Sequence, residues 1–142
     1  NVFPQHLPAR VSRIVSTNPA QEVAAMPPGS WFLVMTHSHP LDYDICLEVL
    51  KRDDAAYCGL IGSKSKRQRF AKIVRDCGLP AATMDGLTCP IGVSGIRSKR
   101  PEDIAVAVVA QLLQLRDAAL IAQNHERGRA TLAVVRQHTT SQ

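Results

Sequence analysis

The chain has 142 residues, 45% hydrophobic, 20% charged and 4% aromatic, the balance of an ordinary globular domain, which excludes fibrous and disordered classes. A chain of this size buries roughly 68–70% of the surface it exposes when unfolded, so it needs neither metal nor disulfide to acquire a core. Lys+Arg number 17 against 12 Asp+Glu, a net charge of +5 that favours anionic partners without identifying nucleic acid. The longest apolar stretch, Ile104 to Leu113, contains Gln111 and falls short of the ~20 residues of a membrane span. With no signal pattern at the N-terminus, the expectation is a cytoplasmic protein that engages neither membrane nor nucleic acid. The opening residue is Asn1 in a Pro-rich stretch, which reads as the start of an internal fragment. Cys46, Cys58, Cys77 and Cys89 include no Cys-x-x-Cys pair and are expected to be reduced thiols.

Arg13-Ile14-Val15 is a brief β-branched run that predicts a strand, and Asn18-Pro19 supplies a cap and first-turn proline for a short helix ending before Pro27-Pro28-Gly29. Trp31 to Met35 is a continuous apolar run, the pattern of a strand buried on both faces of a parallel sheet. From Leu41 to Arg52, Leu41, Ile45 and Val49 recur at helical spacing beside Cys46 and Leu50, with Asp42 and Asp44 near the positive end of the helix dipole. Ala55 to Gly62 predicts the next buried strand, and an amphipathic helix opens at Ser63 with Phe70, Ile73, Val74 and Cys77 as its apolar stripe and Gly78 as its stop. An irregular segment, Leu79 to Lys99, leads to Pro101, where a helix starts whose Ile104, Val108, Leu112 and Leu115 share a largely buried face. The polar run Asn124 to Arg129 breaks that pattern. Beyond it, Ala130 to Val135 is open between a terminal strand, a helix extension and no ordered structure.

Alternating strands and helices imply an α/β fold, a parallel sheet with helices on both faces and ligands outside the carboxyl ends of the strands. Chemistry is therefore expected just after Met35 and just after Ile61. Thr36-His37-Ser38-His39-Pro40-Leu41-Asp42 occupies the first place; in an extended loop His37 and His39 point the same way. With Asp42 they suit zinc ligation, anion binding or acid–base work. Equally, Thr36 or Ser38 caps a helix and the imidazoles are merely solvated. At the second place, Gly62-Ser63-Lys64-Ser65-Lys66-Arg67 puts small residues and cations at a helix N-terminus, an anion site by backbone geometry, although it matches neither Walker A nor Gly-x-Gly-x-x-Gly. The bland alternative is a tight turn followed by a solvated basic face: Lys64, Lys66, Arg67, Arg69, Lys72 and Arg75 crowd that helix. A third loop, Cys89-Pro90-Ile91-Gly92-Val93-Ser94-Gly95, has glycines that permit close approach to a ligand or another loop, and its cysteine is either reactive beside cations or buried and inert.

Together, Thr-His-Ser-His-x-x-Asp, Gly-Leu-Ile-Gly-Ser-Lys-x-Lys and Cys-Pro-Ile-Gly-x-x-Gly-Ile-x-x-Lys-x-Pro resemble the C-terminal Rossmann-like domain of the xanthine dehydrogenase accessory proteins of the XdhC/CoxI type. The resemblance covers Val2 to about Leu120. It implies a partial Rossmann-like domain over 1–123, lacking its first βα unit and followed by a tail over 124–142. It also implies a non-enzymatic chaperone that transiently binds the molybdenum cofactor (molybdopterin), assists its sulfuration with a cysteine desulfurase and delivers it to apo-xanthine dehydrogenase. The cofactor-binding residues it implies are His37, His39, Asp42, Gly62, Ser63, Lys64, Lys66, Cys89, Pro90 and Gly92, the Gly62-Ser63 turn holding the phosphate and the histidine loop facing the pterin or metal end. A sheet edge left open by the missing unit invites homodimerisation. Two other readings stand beside it: a small metal-dependent hydrolase using His37, His39 and Asp42, and a nucleotide-binding Rossmann-like module.

Overall fold

The computed structural model describes residues 6–138, with side chains as far as residue 127. The chain divides into two units, Asn1–Pro90 and Ile91–Gln142. In the first unit, α1 (Pro19–Glu22) runs into a 3-10 turn at Val23–Ala25, then come β1 (Trp31–Val34), α2 (His39–Arg52), β2 (Tyr57–Leu60), α3 (Lys64–Asp76) and a second 3-10 stretch at Ala81–Gly86. β1 and β2 are parallel, with Trp31 opposite Tyr57 and Val34 opposite Leu60, and α2 is the crossover between them, as parallel pairing requires. Past the second 3-10 stretch the chain returns to β2: Thr88 donates to the Cys58 carbonyl at 2.9 Å and accepts from Leu60 N–H at 2.9 Å, a parallel bridge between Gly59 and Thr88. The result is the expected α/β, Rossmann-like arrangement.

The core of this unit forms where the buried faces of α2 and α3 meet the sheet. On α2 the buried residues are Asp42, Cys46 and Val49; on α3 they are Lys66, Phe70 and Val74. Phe70 and Val74 are fully enclosed, each contributing about 1.5–3 kcal/mol of burial, and Phe70 stacks on Tyr43 with ring centroids 5.5 Å apart. Ser38 caps α2 and Ser63 caps α3, each hydroxyl accepting an N–H of the first turn. Gly78, at φ 73°, ends α3 in the left-handed conformation that glycine adopts without steric cost.

Several expectations are corrected. Arg13-Ile14-Val15 forms no strand, and Val15 is 79% exposed. A β-branched run becomes a strand only with a ladder partner, and it has none among the described residues. β1 is buried on one face alone: Trp31, Leu33 and Met35 are exposed while Val34 is enclosed, because β2 is its only partner among the described residues. Asn18 precedes α1 without a side-chain cap bond. Cys77 is exposed at the end of α3, one turn beyond the last residue of that helix to reach the core.

In the second unit α4 runs without a break from Pro101 to His138, so the polar segment at 124–129 does not end the helix and the helix extension is the outcome there; residues 139–142 lie outside the described ones. Its expected burial is also corrected. Ala107 and Val108 are buried, whereas Val106, Val109, Leu113, Leu115, Leu120 and Ile121 are exposed. From Pro101 to Arg127 the helix is long and apolar enough to cross a membrane by length and composition, which the shorter run Ile104 to Leu113 did not suggest. Gly92, at φ 97°, lies against α4: a Cβ there would come within 3.1 Å of the Ala107 Cβ. Gln111 accepts from Gly92 N–H at 2.9 Å and donates to its carbonyl at 3.2 Å.

Candidate functional site

The loops that leave β1 and β2 at their carboxyl ends are joined by one buried ion pair. Asp42, in the first turn of α2, is fully buried; its Oδ1 accepts from Thr36 N–H at 2.9 Å and from the Thr36 hydroxyl at 2.7 Å. Its Oδ2 accepts from Lys66 Nζ at 2.6 Å, and that ammonium also donates to the Ile61 carbonyl at 2.9 Å. Burial pushes the Asp42 carboxyl up, but the hydrogen bonds from Lys66 and Thr36 outweigh it and hold the group below its ordinary range. The Thr36 hydroxyl also accepts from Ser38 N–H at 3.1 Å, so the carboxylate fixes the whole turn that leads into α2.

Gly62 belongs to the same device. A Cβ at this position would stand 2.5 Å from Cδ of Lys66. The missing side chain makes room for the lysine stem to fold back toward Asp42.

Around this strut lies an open cleft of about 440 Å³, lined by Thr36, His37, His39, Ile61, Gly62, Ser63, Ser65, Lys66 and Arg69. It brings together the two loops that the sequence singled out. His37 stands on the loop and His39 at the first residue of α2; both are exposed and both line the cleft, although the segment is not extended throughout. Ser63 and Ser65 bring hydroxyls from the start of α3. No carboxylate lines the cleft, since the nearby Asp42 is sealed beneath it. The volume suits a small-molecule site.

The basic helix is not simply a solvated face. Lys66 is spent on Asp42, Arg67 donates to the carbonyls of Leu87 at 2.6 Å and Met84 at 3.1 Å, and Lys72 pairs with Asp76. Lys64 is exposed and does not line the cleft. Arg69 and Ser65, which sequence reasoning did not single out as site residues, do line it. The signal was available: they are one turn apart on the helix, and residues at that spacing share a face.

Cys89 lies near the same loops, its thiol donating to the Ser63 carbonyl at 3.8 Å. Burial raises its pKa, with Lys66 and Arg67 pulling in the opposite direction, so the thiol stays protonated rather than being activated by its cationic neighbours. In the core, the neighbouring Cys58 thiol and burial push the Cys46 thiol far up. The Cys89–Pro90 peptide is cis.

Parallel strands joined by a helical crossover, with a cleft outside their carboxyl ends, define a Rossmann-type domain. The XdhC Rossmann domain family matches residues 3–112, and the chain belongs to that family. It is also 28% identical over 100 residues to the protein named "Uncharacterized protein YqeB" of Escherichia coli (strain K12). The similar stretch is 70% of this chain and 18% of that protein, so the chain spans less than a fifth of the relative's length.

Proposed function

We propose that this chain is the cofactor-binding part of an accessory factor for xanthine dehydrogenase maturation, one that transiently holds the molybdenum cofactor for sulfuration by a cysteine desulfurase and passes it to the apo-enzyme in the cytoplasm. The observation that carries the reading is the single cleft into which the His37/His39 loop and the Gly62-Ser63 turn both open, in a chain of the XdhC family. The chemistry is that of a holder rather than a catalyst. Ser63, Ser65 and the backbone at the start of α3 offer hydrogen-bond donors to a phosphate, and the two imidazoles face the rest of the ligand. The molybdenum cofactor, when bound, would supply the dithiolene-held metal that the target enzyme uses. Asp42 and Lys66 act beneath the cleft by fixing its walls. The protonated Cys89 lies against the Ser63 carbonyl beside these loops, while Gly92, in the second unit, bonds Gln111 through its N–H and its carbonyl.

The hydrolase reading has less support, because Asp42, its third ligand, is fully buried and its oxygens are committed to Thr36 and Lys66. Among the described residues no group of three or more His, Cys, Asp and Glu is arranged to hold a metal.

The test is purification of the longer protein that carries this domain, with molybdenum analysis and detection of the fluorescent oxidised pterin. Stoichiometric molybdenum and pterin, both reduced by His37→Ala and by His39→Ala without loss of fold, are the expected result. Tight zinc that His37→Ala releases, with hydrolytic activity, would overturn it.

A further inference from the structure

Six cations crowd α3, and the structure separates them by what they are committed to. Lys66 is buried against Asp42, Arg67 is bound to two carbonyls, and Lys72 is paired with Asp76. Lys64 and Arg75 have no ion-pair partner among the described residues and do not line the cleft. Arg69 also has no ion-pair partner among the described residues, and it does line the cleft. Its guanidinium is permanently charged and presents a planar fork of donors, the geometry that meets two oxygens of a phosphate at once. Ser65 lies one turn before it on the same wall, Ser63 caps the helix there, and His37 and His39 come from the other loop. With no carboxylate on the lining, nothing in the cleft neutralises that charge internally.

We infer that Arg69 is the anion-reading residue of this cleft: it grips a terminal phosphate group of the ligand, while Lys66 lines the wall with its stem and keeps its ammonium on Asp42. This rests on the cleft being the ligand site proposed above and names the residue that selects for charge in it. Lys66 cannot serve as the contact, because its ammonium is sealed between Asp42 and the Ile61 carbonyl, and withdrawing it would leave the Asp42 carboxylate buried without a counter-charge.

The test titrates the full chain with inorganic phosphate while following the amide resonances of Gly62, Ser63 and Ser65. Saturable shifts are expected in the wild type. Arg69→Ala should weaken binding about five- to tenfold, the scale of one charge-assisted contact, and Arg69→Lys should restore part of it by returning the charge without the fork. Arg75→Ala, which removes an exposed charge outside the cleft, should change affinity less than twofold. Three results would overturn the assignment: no saturable shifts in the wild type, unchanged affinity in Arg69→Ala, or equal losses in Arg69→Ala and Arg75→Ala. The pterin measurement separates this from the cofactor reading. Phosphate gripped by Arg69 in a protein that retains no pterin removes the cofactor and keeps the anion site, whereas retained pterin with no role for Arg69 removes only the inference made here.

Discussion

The first and last turns of α3 each carry a lysine–aspartate pair at 2.6 Å, and the two pairs do different things. Lys72 and Asp76 sit on one helix face with side chains 69% and 61% exposed, where water screens them. Lys66 and Asp42 come from different helices and are 8% and 0% exposed, where each supplies the opposite charge that the other needs once hydration is lost. Equal distances thus give unequal consequences: a buried pair adds little net stability over an apolar equivalent, yet breaking it is expensive, while an exposed pair contributes about 0.2–1 kcal/mol.

The contrast can be broken most sharply at Lys66. Lys66→Met should destabilise the fold by about 3–5 kcal/mol, because it strands a buried carboxylate, and Lys66→Met combined with Asp42→Asn should recover more than half of that in denaturant unfolding. A penalty no smaller in the double variant would mean that charge was not its cause.

Acid gives the next effect. The folded-state pKa of Asp42 lies below its ordinary value, so its contribution to stability is complete above the unfolded pKa of about 3.9 and is lost as pH falls through the lower folded value. Unfolding measured down that range should steepen in the wild type, and this component should vanish in the double variant.

Gly62→Ala sharpens the comparison further. Its Cβ would press on the stem of Lys66, which Asp42 pins, so a cost of about 1–2 kcal/mol is expected. In a Lys66→Ala background the collision disappears and the cost should shrink, a coupling that a double-mutant cycle reads directly. Lys72→Ala, at the other end of the helix, should shift stability by no more than about 0.5 kcal/mol, and added salt should erase most of that difference.

Much of this was legible in the chain. Runs such as Tyr57–Leu60, and the capping serines Ser38 and Ser63, mark their elements through local physics: apolar continuity for a strand with neighbours on both sides, a hydroxyl that satisfies free N–H groups for a helix start. The two motif loops followed from topology, since a parallel α/β sheet exposes its ligand crevice at the carboxyl ends of its strands. What misled was reading apolarity as burial. Trp31 and Leu33 of β1 and Val106, Val109 and Leu113 of α4 are as apolar as core residues yet exposed, because whether such a face is covered depends on a neighbour that lies outside the segment itself.

By itself the sequence determined the alternation from β1 to α3, the capping serines that start α2 and α3, the proline that starts α4, and the family to which the three motifs belong, because each depends on neighbouring residues or on fixed spacing. It also held an unread clue: the buried stripe of α2 begins with a negative charge, Asp42 before Cys46 and Val49, and that of α3 with a positive one, Lys66 before Phe70 and Val74. Only the tertiary structure decided that these two charges find each other across 24 residues, which commits the Lys66 ammonium to Asp42 and leaves Arg69 on the cleft wall with no ion-pair partner among the described residues. Helical spacing says which residues share a face; which face meets which is settled when two helices pack on one sheet and a buried charge must find its opposite.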